Sequence, residues 1–484
     1  MSIRESIKLA IVRKMLLTRK IPDGTPSPLE EWIRMKVVET CRSNKELAEK
    51  IGSHDLKNLS RADFEEYQLF MFRKQMKYAE ENSPFYRERF KDVRPEDIRT
   101  FGDLEKVPFT TPAELAAEPL YFYAVSRTKV AREFTTTGTT GTRKVIGYTT
   151  KDLITKTDII AAVLKGTGMT QADSIHVLFP AVEEWDPSLM VAGACKIAGY
   201  RSSICSSSDA DEQLRMIKEN KTAFMIGLPS FIYRISTLMS RVTDLRALGI
   251  KKVISSSEPM SESMRSALEN MWGCKVLDIW GMTELGLGCA IECDEQDNMH
   301  TDEANLLFEV VDPETGKHVP NGTVGELVVT TLTAKGMPII RYRTRDLMAM
   351  FDPPCPCGSK FNRKLRKPLG RMDLQFKVGM GHKIFPLMFD EVLFTHPEVV
   401  DYQMRIVKES FRDVLVFEVE SADRSEDLAG KIVSEVSAVM EIADGIAEDL
   451  IGTPVVKFID IGSIKYSSAK ARKITDARQE VSFK

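Results

Sequence analysis

No stretch of this 484-residue chain approaches 18 consecutive apolar residues, so nothing in it reads as a bilayer span. It also lacks an excess of charge of either sign. Lys and Arg number 67 and Asp and Glu 70, a net charge of −3, which gives no argument for a nucleic acid or an anionic membrane surface as partner. A secretory leader needs an unbroken apolar run, and Arg13-Lys14 interrupts the one between Ile3 and Lys20. Such a basic amphipathic segment can lie on a membrane, but packing on its own protein or on a partner subunit is the expectation. A cytoplasmic protein follows, and with it no structural disulfides from the eight Cys, most of which read as small buried hydrophobes. There is no internal repeat, no low-complexity tract and no Walker A spacing.

What is present begins with length, which calls for a large domain and a smaller one. The first 60 residues read as two helices separated by Pro22, Pro26 and Pro28, an N-terminal extension. Residues 61–81 form an amphipathic helix stopped by Asn82-Ser83-Pro84. From 174 to 280 strand-like segments (175–179, 201–205, 223–228, 252–256 and 276–280) alternate with helix-like ones (187–198, 211–219, 230–240 and 261–271). That alternation predicts a largely parallel, helix-covered sheet. Turn signals at 312–316 and 321–322, with β-rich runs at 325–331 and 339–342, predict a β-rich subdomain over about 305–370. The large domain thus covers 61–371. Residues 374–484 predict a small α+β domain, with strands near 398–406, 413–420 and 454–459 and a helix near 424–441. The class is α/β.

Five segments carry chemistry. The run from Phe134 to Lys144 is rich in Thr, holds Gly138 and Gly141, and ends on Arg143-Lys144. Backbone N–H groups, hydroxyls and a cation in one small volume suit a nucleotide triphosphate; a flexible linker is the plainer alternative. Asp278 to Glu284, with Trp280, Gly281, Met282 and Thr283 between, reads as a strand ending in a Gly turn with a hydroxyl and a carboxylate, where α/β proteins place ligands. Thr283 as a helix N-cap competes with this. Asp346, in Tyr342-Arg343-Thr344-Arg345-Asp346, can accept from two ribose hydroxyls or pair with a nearby Arg on the surface. Gly370-Arg371-Met372-Asp373 reads as a hinge bearing a ligand-contacting Arg, or as a linker. Lys470, in Ser467 to Arg478, is a cation that can reach a phosphate, or belongs to a solvated basic tail.

In this order and spacing, the five segments resemble those of the adenylate-forming superfamily of acyl-CoA synthetases, luciferases and adenylation domains. The closer resemblance is to its phenylacetate–CoA ligase branch. It is carried by Asn82 to Tyr86, Val107 to Thr111, Ser257-Glu258-Pro259 and Ala469 to Arg478, and covers roughly 65–484. The resemblance implies a mobile C-terminal domain and two steps: a carboxylate attacks the α-phosphate of Mg-ATP and releases pyrophosphate, then coenzyme A displaces AMP. It implies that Thr136, Thr137, Gly138, Thr139, Thr140, Gly141 and Lys144 embrace the β- and γ-phosphates. Thr283 would contact the α-phosphate and Glu284 would hold Mg²⁺. Ser257, Glu258 and Pro259 would line the adenine pocket with Trp280, Gly281 and Met282. Asp346 would take the ribose, with Arg371 in support. Lys470 would be the catalytic lysine of adenylation and Asp373 the pivot. The sequence departs from the family in Trp280 for the usual Tyr, Arg345 for Gly, Ser468-Ala469 for Glu-Gly before Lys470, and an acidic, bulky stretch at 181–193.

Cys355-Pro-Cys357-Gly is a compact two-thiolate knuckle, and Cys293 with His300 would complete a Cys₃His set with no vacancy for a substrate. The branch resembles this chain in carrying such a zinc site; buried free thiols are the alternative, and Cys289 is a spare ligand. The expected function is ATP-dependent activation of a carboxylic acid, an aromatic one fitting the branch, and its transfer to coenzyme A. Transfer to another acceptor (an amine, a carrier protein or a cofactor) and a catalytically inactive nucleotide-binding protein stay as alternatives. The expected partners are the small acid and coenzyme A, with a homodimer as the assembly common in the branch.

Overall fold

A computed structural model of the chain describes residues 3–51, 59–136, 144–180, 187–464 and 474–478, and of residues 3–8 and 373 the backbone alone. Two compact units make it up. One comprises Met1–Ile175, Glu183–Ser203 and Leu277–Pro368, the other His176–Val182, Ile204–Val276 and Leu369–Lys484.

In the first unit the expected helix is Arg61–Asn82. Ser60 opens it with a capping box: its hydroxyl accepts from the Asp63 N–H and its own N–H donates to the Asp63 carboxylate. Pro84 lies just beyond its end, where the helix could not continue without losing an N–H. The helix buries Phe64, Tyr67, Phe72 and Met76. The N-terminal segment folds as helices Ile3–Met15, Pro28–Ser43 and Lys45–Lys50. Arg13 donates to the Ile197 and Lys196 carbonyls, at 3.0 and 2.8 Å, and so satisfies the carbonyl end of helix Pro187–Ala198. Trp32, Ile33 and Val37 are fully buried. The extension therefore packs on its own protein, as its alternation of apolar and basic residues suggested.

Strands Val130–Thr135 and Val145–Thr149 form an antiparallel hairpin, Thr135 opposite Val145. Strand Lys275–Met282 turns directly back into Gly286–Glu292, which pairs with Met299–Thr301, then Lys364–Leu365 and Met350–Phe351. Leu306–Val311, Gly325–Thr331 and Tyr342–Met348 make the expected β-rich sheet. The last strand starts at Tyr342, not 339, because Arg341 takes a positive φ of 46° that breaks an extended run. Trp280, Leu285, Cys289, Met299, Phe308, Leu327, Val329 and Met348 share one core. Side chains buried to this degree contribute about 1.5–3 kcal/mol each.

In the second unit Phe224–Gly227 and Lys252–Ser256 pair in parallel, with helices Ala210–Glu219, Pro229–Ser240 and Glu262–Trp272 beside them in sequence, as the alternation predicted. The remainder is α+β. Val399–Glu409 and Arg412–Ser421 form an antiparallel pair flanked in parallel by Ile474–Asp476 and Val455–Ile459. The helix expected near 424–441 divides into Glu426–Ser437 and Met440–Ala447, because Val439 is extended (φ −60°, ψ 126°). Arg234 ties the two parts of this unit together, donating to Glu420 at 2.6 Å with both groups buried.

Candidate active site

The described ends of the Thr/Gly run, Thr136 and Lys144, close the hairpin mouth on each other. The Thr136 N–H donates to the Lys144 carbonyl at 2.9 Å, and the Lys144 N–H donates to the Thr136 hydroxyl at 3.2 Å. Thr137, Gly138, Thr139, Thr140, Gly141 and Arg143 lie outside the described residues.

The Lys144 side chain leads to the second motif. Its ammonium stands 2.5 Å from Glu284 Oε1 and donates to the Tyr342 hydroxyl at 3.2 Å; that hydroxyl donates to the same Glu284 oxygen at 2.8 Å. Three motifs distant in sequence thus converge on one carboxylate. Glu284 is 3% exposed. Burial pushes its carboxyl upward, yet the Lys144 charge and the hydrogen bonds from Lys144 and Tyr342 outweigh burial and hold it below the usual range. Tyr342 lies in the motif of Asp346, and its residue type alone does not point to Glu284.

The turn carrying Thr283 and Glu284 is the tip of a β-hairpin. Strand Gly286–Glu292 follows it, so Thr283 caps no helix. Gly281 is required there, since a Cβ on it would meet the Gly286 carbonyl oxygen at 2.7 Å. Tyr148 donates to the Thr283 carbonyl at 2.7 Å and Lys156 donates to the Leu285 carbonyl, so both ends of the turn are pinned.

Asp346 is buried, and Trp280 Nε1 donates to its Oδ2 at 3.0 Å. Asp346 is therefore not a surface residue. The indole that stands where the family carries Tyr supplies a donor of its own and packs edge-on against Phe308 at 6.3 Å. Arg345, where the family has Gly, sits at φ +69° in the left-handed region. In the second unit Ser257 also has a positive φ, 76°, and Glu258 accepts from the Ser230 hydroxyl at 2.6 Å. Pro259 follows as the strand leaves the sheet, and Arg371 lies in the short strand Gly370–Arg371, half-buried. Lys470, the stretch 181–186 and the Asp373 side chain lie outside the described residues.

Cys293, His300, Cys355 and Cys357 bring their donor atoms within 4.8 Å of one another. Cys293 Sγ and Cys355 Sγ are 3.8 Å apart, and Cys357 Sγ lies 3.3 Å from His300 Nε2. A disulfide would need about 2 Å. Thiolates each about 2.3 Å from one tetrahedral zinc stand about 3.8 Å apart. The hydrogen bond shared with Cys293 lowers the Cys357 thiol, and the same bond, with burial, raises Cys293 to about 12. Donor chemistry and spacing both fit a closed zinc site. Cys289 is not a spare ligand: its thiol lies in the core, donates to the Gly286 carbonyl at 3.1 Å and is pushed by burial to about 12.

Comparison with known proteins gives the family. The AMP-binding enzyme family matches residues 91–335, and its C-terminal domain matches 381–478. The phenylacetate–coenzyme A ligase of Aromatoleum evansii is 32% identical over 381 residues, 76% of this chain and 84% of that protein. The enzyme of that name from Pseudomonas putida is 28% identical over 85% of this chain and 94% of its own length. Among solved structures, a 2-hydroxyisobutyryl-CoA ligase in the postadenylation state, 21% identical, overlays with a TM-score of 0.75 over 87% of this chain and 91% of that one. The chain belongs to the AMP-binding enzyme family of adenylate-forming enzymes, in the branch of the phenylacetate–CoA ligases.

Proposed function

We propose that the protein is an AMP-forming acid–thiol ligase. A carboxylate oxygen attacks the α-phosphorus of ATP and expels pyrophosphate. The coenzyme A sulfur then attacks the acyl carbon, the thiol proton leaves to solvent or base, and AMP departs. The observation that carries the reading is the convergence of Lys144, Tyr342 and Glu284 at the mouth of the Thr/Gly hairpin.

A carboxylate as buried as Glu284 stays charged only with a cation within reach, and Lys144 is that cation. In the reading proposed, Glu284 would hold Mg²⁺, which would supply positive charge to the phosphate oxygens, and Lys144 would turn to the β- and γ-phosphates with Thr136 to Gly141. Charge building on pyrophosphate calls for such fixed cations and donors. Thr283 meets the α-phosphate. Asp346 binds the ribose with Arg371 in support, and its bond from Trp280 fixes the carboxylate beforehand. Ser257, Glu258 and Pro259 line the adenine, with Gly281 and Met282 at its edge. Lys470 acts in adenylation, carried by a lid of residues 374–484 that pivots at Asp373.

Zinc, held by Cys293, His300, Cys355 and Cys357, is a structural clip in this reading. Cytoplasmic placement and a homodimer complete it, resting on the resemblance. The test offers aromatic and short aliphatic acids with ATP and follows pyrophosphate. Release that depends on an acid, followed by AMP release that depends on coenzyme A, is expected. AMP release indifferent to coenzyme A would move the acceptor elsewhere. No pyrophosphate with any acid would end the proposal, as would preserved ATP–pyrophosphate exchange in Lys470→Ala for the assignment of that lysine.

A further inference from the structure

We propose that Glu30, in the N-terminal extension, is a positioning residue for the metal knuckle: its carboxylate fills a nest of backbone N–H groups directly behind Cys355 and Cys357. The inference rests on the zinc reading above and extends it to a part of the chain that no motif or family match covers.

The geometry is specific. Glu30 is buried in the first turn of helix Pro28–Ser43. Its Oε2 accepts from the N–H groups of Lys360, Phe361 and Asn362 at 2.8, 2.9 and 3.1 Å, and from the Ser359 hydroxyl at 2.7 Å. Three consecutive backbone donors converging on one oxygen are what an anion-binding nest provides. Here the anion is supplied from some 330 residues upstream.

From this carboxylate two steps reach a metal ligand. Ser359 takes the carboxylate with its side chain, and its carbonyl accepts from the Cys355 N–H at 2.9 Å. The Gly358 N–H closes the knuckle on the Cys355 carbonyl at 3.0 Å. A second contact comes from the same extension. Gly358 has φ +98°, and a Cβ there would lie 3.2 Å from Pro26 Cβ, so the prolyl ring seats against the bare glycine. The far side of the loop is held independently. The Asn362 amide donates to the Thr301 carbonyl and to Glu303, and Thr301 follows His300. The loop is thus gripped between the extension and the strand that carries the histidine.

Without Glu30, buried donors lose their acceptor, and the loop must move to recover it from water. Any such movement is felt at Cys355 through Ser359. Groups that orient metal ligands at one remove change affinity by about 10- to 100-fold when removed. The coupling is reciprocal, so the metal must in turn steady the extension.

The test uses the full-length, zinc-loaded protein and a chromophoric chelator in competition. Glu30→Ala is expected to weaken zinc about 10-fold or more, and Glu30→Gln, which keeps one acceptor oxygen, by less. Glu31→Gln should stay within about two-fold, because among the described residues Glu31 pairs with Arg34 on its own helix, at 2.5 Å. Amide hydrogen exchange of the unmutated protein, before and after chelation, gives a reading that needs no variant. Removal of zinc should speed exchange across residues 28–43 and at 359–362. Zinc affinity unchanged in Glu30→Ala, or exchange in that helix indifferent to zinc, would overturn the proposal alone. An unmutated protein that holds no zinc would overturn the zinc reading with it.

Discussion

Two neighbouring residues, Arg341 and Tyr342, belong to buried ion-pair networks of opposite character. Arg341 is 1% exposed and meets both oxygens of buried Glu309, at 3.1 and 3.2 Å from Nε, while NH1 donates to the Val107 carbonyl at 2.7 Å. His318 approaches the same carboxylate at 2.7 Å, and the Phe109 ring lies 4.1 Å from the guanidinium carbon. The planar fork holds its partner in two places and has no reason to let go. One residue on, Tyr342 joins Lys144 and Glu284. There the cation is an ammonium on a flexible stem, a point charge that can turn to another anion. The first network is a brace. The second, in the function proposed, exchanges its cation.

Breaking the brace should have the largest effect. Arg341→Met leaves Glu309 buried without its cation and should lower unfolding free energy by about 3–5 kcal/mol in a urea titration. Burial pushes the Glu309 carboxyl up, but Arg341 and His318 outweigh it, so its folded value lies below the usual one. Such a depressed carboxyl stabilises the fold above its unfolded pKa, and that share is lost as pH falls through the folded value. In Arg341→Met the acid limb of the stability curve should therefore start at higher pH.

Opening the exchangeable network should spare the fold and cost the chemistry. Glu284→Gln should reduce ATP–pyrophosphate exchange by about 10²–10³-fold, with the urea midpoint moving far less than in Arg341→Met. Tyr342→Phe removes one neutral donor and should cost about 0.5–1.5 kcal/mol of transition-state stabilisation, read as a modest drop in the same exchange assay. An equal fall in stability for Glu284→Gln and Arg341→Met would erase the distinction. The smallest effect belongs to Arg345→Gly. A left-handed non-glycine residue costs about 1–2 kcal/mol, and glycine returns part of this to the unfolded chain. A rise of about 0.5–1 kcal/mol is expected, measured by the same titration.

Much of this was legible in the sequence because short-range rules govern it. Ser60-x-x-Asp63 opens a helix, and Gly281 and Asp346 sit in motifs whose residue types serve one chemistry. The alternation from 174 to 280 fixes strands and helices nearly to the residue. What escaped depends on partners far away. Glu30 in the first turn of a helix looks like any acid favoured by the helix dipole, and only folding brings the 359–362 loop to it. Arg341 reads as one more charge in a basic β run until Glu309 and Val107 are seen around it. Tyr342 lies four residues before Asp346 in the same strand, and nothing in that spacing points to Glu284. Val439 carries no signal that a helix should divide there.

The indole bond to Asp346 has an optical consequence. The sequence holds four tryptophans, at 32, 185, 272 and 280, and among the described residues Trp280 is the one hydrogen-bonded to the carboxylate proposed to bind the ribose. In the function proposed, a nucleotide sugar competing for that oxygen would change the field across the ring, so emission from this residue should report occupancy directly, without a label. Trp32 and Trp272, enclosed elsewhere in the molecule, would serve as the steady background.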